Sequence, residues 1–233
     1  MLSVIIPTYN EIANIPELIS SVDRALSAAA AEYEILIMDD DSPDGTAKLA
    51  ADLQFPRVRV VNRRGRTRGL ASAVIDGFRE ANGNILAVMD ADLSHPPEVL
   101  VRLHAAVLEG ALLAVASRYV PGGGVKNWPV KRQWMSRIAS WAGRILAPVN
   151  DSSSGYFMFR REVIEGLHLD PLGFKIGLEI FVKGKHQGRI REVPYVFSDR
   201  LAGKSKLSAG VMGAFAKHYW KLLAFKLYSN PKQ

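Results

Sequence analysis

The sequence predicts an α/β fold with a mostly parallel central sheet flanked by helices. Three observations carry that reading. From residue 2 to residue 116, short apolar runs of strand length alternate with segments whose apolar residues recur at helical spacing. Two of those runs end in acidic clusters, Asp39-Asp40-Asp41 and Asp90-Ala91-Asp92, and open α/β sheets bind ligands at the carboxyl ends of their strands. The chain of 233 residues is 48% hydrophobic and 23% charged, ordinary globular usage that is long enough for a full core. Disordered, collagen-like and disulfide-stapled classes are thereby excluded. With no cysteine, thiolate metal sites and cysteine nucleophiles are excluded as well, and the usage fits a reducing compartment.

In chain order, Leu2–Pro7 is a first apolar strand, followed by a helix over 14–30 that places Ile15, Leu18, Ile19, Val22 and Leu26 on one face. Glu34–Met38 is strand-like, Ser42-Pro43-Asp44-Gly45 is a turn and Ala47–Leu53 a short helix. Arg57–Val61 reads as strand, Leu70–Ala81 as helix and Ile85–Met89 as a buried strand. Pro96–Leu108 fits a helix with proline in its first turn, and Leu112–Ala116 is again strand. The turn Pro121-Gly122-Gly123-Gly124 marks a change in charge. Residues 1–109 hold 10 basic and 16 acidic side chains, residues 110–233 hold 20 and 7, and segments 110–150 and 200–233 have no acid at all. One half suits cations and the other anions.

The amino terminus lacks a basic region and a signal-length apolar stretch, and no 18 consecutive apolar residues occur. The expected location is cytoplasmic, against a membrane surface. Lys131–Leu146 repeats Trp134, Ile138, Trp141, Ala142 and Ile145 on one face, with Arg137, Ser140 and Arg144 on another. That pattern fits either a helix at the membrane interface or one packed on the sheet. Residues 208–233 form a basic, apolar tail whose helix carries Val211, Phe215, Tyr219, Leu222 and Leu223, interrupted by Lys226.

Asp90 and Asp92 stand two residues apart after a buried strand, so both carboxylates can face one hard cation. Mg²⁺ or Mn²⁺ bound this way completes its shell with water and phosphate oxygens, which implies a phosphorylated ligand. Neither Gly-x-Gly-x-x-Gly nor a phosphate loop ending in Gly-Lys-Ser/Thr is present. Five histidines show no zinc spacing; His95 alone adjoins the carboxylates, as a supporting group or a helix cap.

The motifs VIIPTYNE (4–11), DDDSPDGTA (39–47), GLASA (69–73), DADLSHPPE (90–98), SRYVPGGG (117–124), NWPVKRQWMS (127–136), DSSSG (151–155), GFKIGLE (173–179) and DRLAGKSKL (199–207) resemble, in order, a family-2 glycosyltransferase of the GT-A fold. Among such enzymes the chain is most similar to polyprenol (dolichyl) phosphate mannosyltransferases. The resemblance implies a catalytic domain over 1–207. It also implies inverting transfer of mannose from GDP-mannose to a polyprenyl phosphate at the cytosolic membrane face. It places Pro7, Tyr9, Glu11, Asp39 and Asp41 around the nucleotide, and Asp90, Ala91 and Asp92 at the diphosphate, with Asp90 and Asp92 on the metal. Arg118, Arg132 and Ser136 would face the acceptor phosphate, and Arg200 and Lys206 would close over the diphosphate. Where the family usually has a glutamine ligand this chain has Ser94, a shorter neutral group expected to meet the metal weakly or through water.

A phosphate monoester, with its second pKa near ~6, is already an anionic nucleophile at neutral pH, so no catalytic base is expected. Divalent metal together with Arg200 and Lys206 would stabilise the leaving diphosphate, while Arg118 would orient the acceptor. Other readings are a related transferase using UDP-glucose or another donor, a non-catalytic relative weakened at Ser94, and a nucleic-acid-binding protein suggested by pI ≈ 9.7 and the run Arg63–Arg68. The last is disfavoured because the strand-end carboxylates repel nucleic-acid phosphates. A membrane-anchoring partner subunit is compatible with the sequence without being required by it.

Overall fold

The computed structural model describes residues 1–29, 31–170, 176–198 and 209–228, the side chains of 209–212 and 214–216 excepted. Its strands are β1 (Leu2–Thr8), β2 (Tyr33–Asp39), β3 (Val58–Asn62), β4 (Ile85–Val88), β5 (Leu113–Ser117), β6 (Gly124–Val125), β7 (Phe157–Arg160), β8 (Ile190–Pro194) and β9 (Val196–Phe197). The helices are α1 (Ile15–Ala28), α2 (Thr46–Asp52), α3 (Leu70–Glu80), α4 (Glu98–Leu108), α5 (Val130–Leu146), α6 (Ile176–Lys183) and α7 (Ala209–Tyr228).

Among the described residues, seven strands form one sheet in the order β3-β2-β1-β4-β7-β5-β8, and β6 pairs with β9 in a second, two-stranded sheet. Within the large sheet β7 alone is antiparallel to its neighbours β4 and β5. The expected mostly parallel sheet is therefore present. Its strands are apolar along both faces: Val4 and Ile6 join the core under α1 and α4, while Ile5, Leu36 and Met38 join the core under α3 and α6. Burial on both sides explains why these segments read as continuous apolar runs instead of alternating ones. The five residues predicted to form the inner face of the first helix, Ile15, Leu18, Ile19, Val22 and Leu26, are all buried.

Strand order reverses at β1, with β2 and β3 on one side and β4 on the other. A crevice opens beyond the carboxyl ends of the strands at such a reversal. Thr8, Asp39 and the segment after Val88 end side by side there, because Thr8 is in register with Asp39 and Ile5 with Val88.

The helix α5 packs with its small residues inward. Ser140, Gly143 and Leu146 are buried, whereas Trp134, Ile138, Trp141 and Ile145 are more than half exposed. Of the two readings of this helix, packing of its aromatic face on the sheet is overturned. Gly143 explains the choice: a Cβ there would lie 1.8 Å from Ser152 Oγ, so the helix approaches the 151–154 segment with no room for a side chain. In turn α7 lies against α5 and α6, with Leu222 buried beside Leu146 and Leu178. Tyr219 donates to the Ala142 carbonyl at 3.1 Å. Lys226, which breaks the apolar arc of α7, donates to the carbonyls of Ile145 and Leu146 at 2.7 and 3.0 Å. It caps the carboxyl end of α5, where backbone acceptors lack helical partners. None of the described helices is long and apolar enough to cross a membrane.

Candidate active site

The crevice is built first by the β1 and β2 ends. The Asp39 carboxylate is fully buried, accepting from Thr8 Oγ1 at 2.9 Å, from Ser42 N–H at 2.8 Å and from Ser42 Oγ at 2.6 Å. It ties two strand ends and the following turn together. Asp40 accepts from Gly69 N–H at 2.8 Å and pairs with the buried Arg63 guanidinium. Asp41 adopts φ 57 and is partly exposed, 3.4 Å from Arg68 Nη2. The Arg68 guanidinium also lies over the Tyr9 ring, 5.8 Å from its centroid. Glu11 receives the Asn14 side-chain amide at 2.7 Å, and its backbone N–H donates to Thr46 Oγ1 at 3.0 Å. Pro7, Tyr9, Glu11, Asp39 and Asp41 thus do gather around one rim, with Asp39 as its buried brace.

The basic run 63–68 is largely paired within the chain. Arg63 is buried against Asp40 and Asp76, Arg66 reaches Asp76 and Glu80, and Arg68 reaches Asp41. Three of its arginines already face carboxylates of the same chain.

At the end of β4, Ala91 is buried and Asp92 nearly so, while the Asp90 side chain is 31% exposed. Between them and Ser94 stands Leu93 at φ 60, a left-handed conformation that costs a bulky residue about 1–3 kcal/mol. That turn lets Ser94 double back: its N–H and its hydroxyl both donate to Asp92 Oδ1, at 3.1 and 2.5 Å. His95 is buried, stacked on Tyr156 at 4.6 Å, and its Nδ1 accepts the Asp90 N–H at 3.1 Å. The accepting role of Nδ1 leaves the ring proton on Nε2, 3.9 Å from Asp90 Oδ2. Burial holds the His95 pKa below its ordinary value, although Asp90 and Asp92 pull the other way. Of the two roles open to His95 in sequence, support of Asp90 is the one found, since Pro97 occupies the α4 cap position.

No three His, Asp or Glu among the described residues are arranged to hold a metal by themselves. Two hard carboxylates after β4 are nonetheless the donor set that Mg²⁺ or Mn²⁺ takes when phosphate oxygens and water supply the rest. The residues present fit such an ion.

The opposite wall is basic. Arg118 follows β5 and is nearly buried, donating from Nε and Nη2 to Asp151 at 2.7 Å each, and from its backbone N–H to Asp151 Oδ2 at 2.9 Å. Nη2 also reaches Ser153 Oγ at 2.7 Å. Burial alone would lower the Arg118 pKa, but the Asp151 hydrogen bonds and field outweigh it and hold the guanidinium above its ordinary value. Burial would raise the Asp151 pKa, and Arg118 reverses this, keeping the carboxyl below its ordinary value. Gly123 lets the chain return over Arg118: a Cβ there would meet the Ser117 carbonyl at 2.5 Å. From α5, Arg132 sits over the Trp128 ring at 4.0 Å, and Ser136 accepts a hydrogen bond from Tyr119 OH at 2.7 Å.

Arg118, Arg132 and Ser136 are therefore neighbours through Tyr119 and Trp128, since Arg118 lies over both of those rings at 5.4 Å. Phe197 joins the two walls, 6.0 Å from His95 on the carboxylate side and 5.8 Å from Arg118 on the basic side. Arg200 and Lys206 lie outside the described residues. Sequence reasoning assigned no role to Asp151, Tyr119 or Trp128. An acid closely following a long acid-free stretch, at Asp151, was the available signal.

The Glycosyl transferase family 2 pattern matches residues 3–167. A dolichol-phosphate mannosyltransferase of Pyrococcus furiosus is 46% identical over 228 residues, covering 96% of this chain and 64% of its own length. A polyprenol monophosphomannose synthase of Mycolicibacterium smegmatis is 41% identical over 88% of this chain and 80% of its own. A dolichol-phosphate mannosyltransferase of Saccharomyces cerevisiae is 36% identical over 98% and 89%. The chain thus spans just under two thirds of the Pyrococcus protein's length and most of the other two. Among solved structures, glucosyl-3-phosphoglycerate synthase of Mycobacterium tuberculosis with Mn²⁺, UDP and phosphoglyceric acid superposes with a TM-score of 0.72 at 20% identity, over 97% of this chain and 78% of that one. Mannosyl-3-phosphoglycerate synthase of Rubrobacter xylanophilus gives 0.72 at 18% identity, over 100% and 76%. The fold is the GT-A glycosyltransferase fold, and the chain belongs to glycosyl transferase family 2.

Proposed function

We propose that this chain transfers mannose from GDP-mannose to the phosphate of a polyprenyl lipid, with inversion, at the cytosolic surface of a membrane. The observation that carries this reading is the placing of Phe197 between His95, which supports Asp90 on the carboxylate side, and Arg118 on the basic side. A nucleotide diphosphate with its cation suits the first wall and an anionic acceptor suits the second. The names of the relatives, all polyprenyl- or dolichol-phosphate mannosyltransferases, agree with that division.

Tyr9, Glu11 and Asp41 would contact the nucleotide on the rim that Asp39 braces, with Pro7 beside them. A divalent cation held on Asp90 and Asp92 would neutralise charge developing on the departing diphosphate. Ser94 serves there by fixing Asp92 Oδ1, since its hydroxyl proton already lies on that oxygen. Arg118, Arg132 and Ser136 would bind and aim the acceptor phosphate, which as an anion needs no base. Arg200 and Lys206 would complete the diphosphate site. The exposed face of α5 and Trp220 of α7 would rest at the lipid headgroups, bringing the basic wall to the acceptor.

Purified protein given radiolabelled GDP-mannose, a short polyprenyl phosphate and Mg²⁺ or Mn²⁺ should form lipid-linked mannose. Product from UDP-glucose alone would refute the mannose assignment, and Asp92→Asn should abolish transfer.

A further inference from the structure

Arg63 follows β3 and is fully buried. Its Nε donates to Asp76 Oδ2 at 3.0 Å and its Nη1 pairs with Asp40. Nη2 donates to Ser72 Oγ at 2.7 Å and to the Thr67 carbonyl at 2.9 Å. Asp40 in turn accepts the Gly69 N–H at 2.8 Å. The two peptide groups that flank Arg68, one through the Thr67 carbonyl and one through the Gly69 N–H, are thus held by the same buried pair. Gly69 adopts φ 130, a conformation that a side chain would strain. The Arg66 N–H closes a turn onto the Arg63 carbonyl at 3.0 Å. What this clamp presents is Arg68, whose side chain is 58% exposed on the crevice rim, 3.4 Å from Asp41 and over the Tyr9 ring.

We propose that Arg68 contacts the nucleoside end of the donor, and that Arg63 is the positioning residue that sets it there. The proposal rests on the reading of Tyr9 and Asp41 as nucleotide contacts. A buried ion pair adds little net stability, because desolvation of both charges offsets their attraction. What the Arg63–Asp40 pair secures is geometry, and the geometry it fixes is that of one exposed arginine. A lysine at 63 would keep the charge, but a single ammonium cannot span two carboxylates, a hydroxyl and a carbonyl as the planar fork does. At the rim, Arg68 and Asp41 cancel in charge. They set hydrogen-bond donors beside acceptors and next to an aromatic face, which suits a neutral base and ribose. The diphosphate belongs instead at Asp90 and Asp92.

The test measures GDP and GMP binding by calorimetry with Mg²⁺, acceptor KM and thermal unfolding for Arg68→Ala, Arg63→Lys and the double variant. Arg68→Ala should weaken both nucleotides ~10-fold, by the same factor for each, with Tm unchanged. Arg63→Lys should lower Tm, weaken both nucleotides ~5-fold and leave the acceptor KM within about two-fold. Added to Arg68→Ala, it should still lower Tm but weaken nucleotide binding by less than about two-fold more, because its effect runs through Arg68. As a control, Arg161 holds the carbonyls of Phe78, Ala81 and Gly83 at the opposite end of α3. Arg161→Lys should lower Tm without loss of GDP binding. Additive nucleotide losses in the double variant, a loss for GDP but not GMP, or an equal loss in Arg161→Lys would each overturn the proposal. If Arg63→Lys does not fold, Ser72→Ala decides, since it withdraws one acceptor from the same guanidinium. Its ~3-fold effect on GDP must be present with Arg68 and absent without it. If the unaltered protein binds UDP and not GDP, the guanosine assignment has failed, and the same variants read with UDP and UMP decide the proposal by the same criteria.

Discussion

The buried Arg118–Asp151 pair allows a quantitative test of how the basic wall is held. Asp151 is fully buried and receives the Arg118 backbone N–H, Nε and Nη2 together with Ser153 Oγ, at 2.7 to 3.1 Å. Asp151→Asn keeps the shape, removes the negative charge and turns an amide N–H₂ toward a guanidinium. Arg118, with its side chain 7% exposed, is then a cation with little water and no counter-charge. Breaking one side of a buried pair costs about 3–5 kcal/mol. At about 2–4 °C per kcal/mol for a chain of this size, Tm should fall by roughly 6–20 °C.

The decisive comparison is the double variant Asp151→Asn/Arg118→Met. Its apolar side chain needs no counter-charge, so it should recover most of the lost stability while losing acceptor binding. Calorimetry and urea unfolding would measure both. A single variant that loses less than about 1 kcal/mol, or a double variant no more stable than the single one, would refute the argument. Either result would mean that water or another group reaches Arg118.

Three further outcomes follow from other parts of the molecule. Gly143→Ala drives a Cβ into Ser152 and should cost about 1–3 kcal/mol of stability, with Ser152→Gly recovering part of it in thermal unfolding. Trp134→Ser/Trp141→Ser should leave Tm unchanged, because both rings are exposed, yet lower flotation with anionic vesicles at least ~10-fold; undiminished flotation would remove α5 from the membrane contact. Burial holds the His218 pKa below its ordinary value, with Asp170, Glu179, Lys183 and Lys221 acting on it across the α6–α7 junction. Stability from its neutral form is full above the unfolded value of about 6.5 and is lost as pH falls through the lower folded value. The urea midpoint should therefore drop between pH 7.5 and 5.5, and His218→Phe should flatten that drop.

The parts of the site legible in sequence were those set by local pattern. Strand ends at Asp39 and Asp90 could be read because each follows a continuous apolar run, and the α1 face because its apolar spacing is helical. β7 escaped notice, since Phe157–Arg160 is four residues long and its antiparallel place between β4 and β5 depends on pairing far along the chain. In sequence Arg63 is only the first base of the run Arg63–Arg68, whereas in the structure it is among the largest fully buried side chains. Its partners Asp40 and Asp76 lie 23 and 13 residues away, so no window around the run contains the answer.

The helix α5 shows why amphipathicity alone could not settle what it faces. A stripe of Trp134, Ile138, Trp141 and Ile145 is equally periodic whether it meets a core or a membrane. The deciding information is on the opposite face, where Ser140 and Gly143 are small enough to let the backbone settle on Ser152. A large apolar face opposite a small-residue face means that the small side does the packing, because close approach there fills space that bulky side chains would hold open. The same logic accounts for Lys226. In α7 alone it is a flaw in an apolar arc; against α5 it is the donor for two terminal carbonyls. An amphipathic pattern with one misplaced cation is better read as two helices that meet at that residue than as one poorly made helix. Lys226→Met, which improves the apparent amphipathicity, should therefore loosen α7 from α5 by about 0.5–1.5 kcal/mol. Faster amide exchange confined to the last turn of α5 and the end of α7 would show it, and unchanged exchange there would refute the cap.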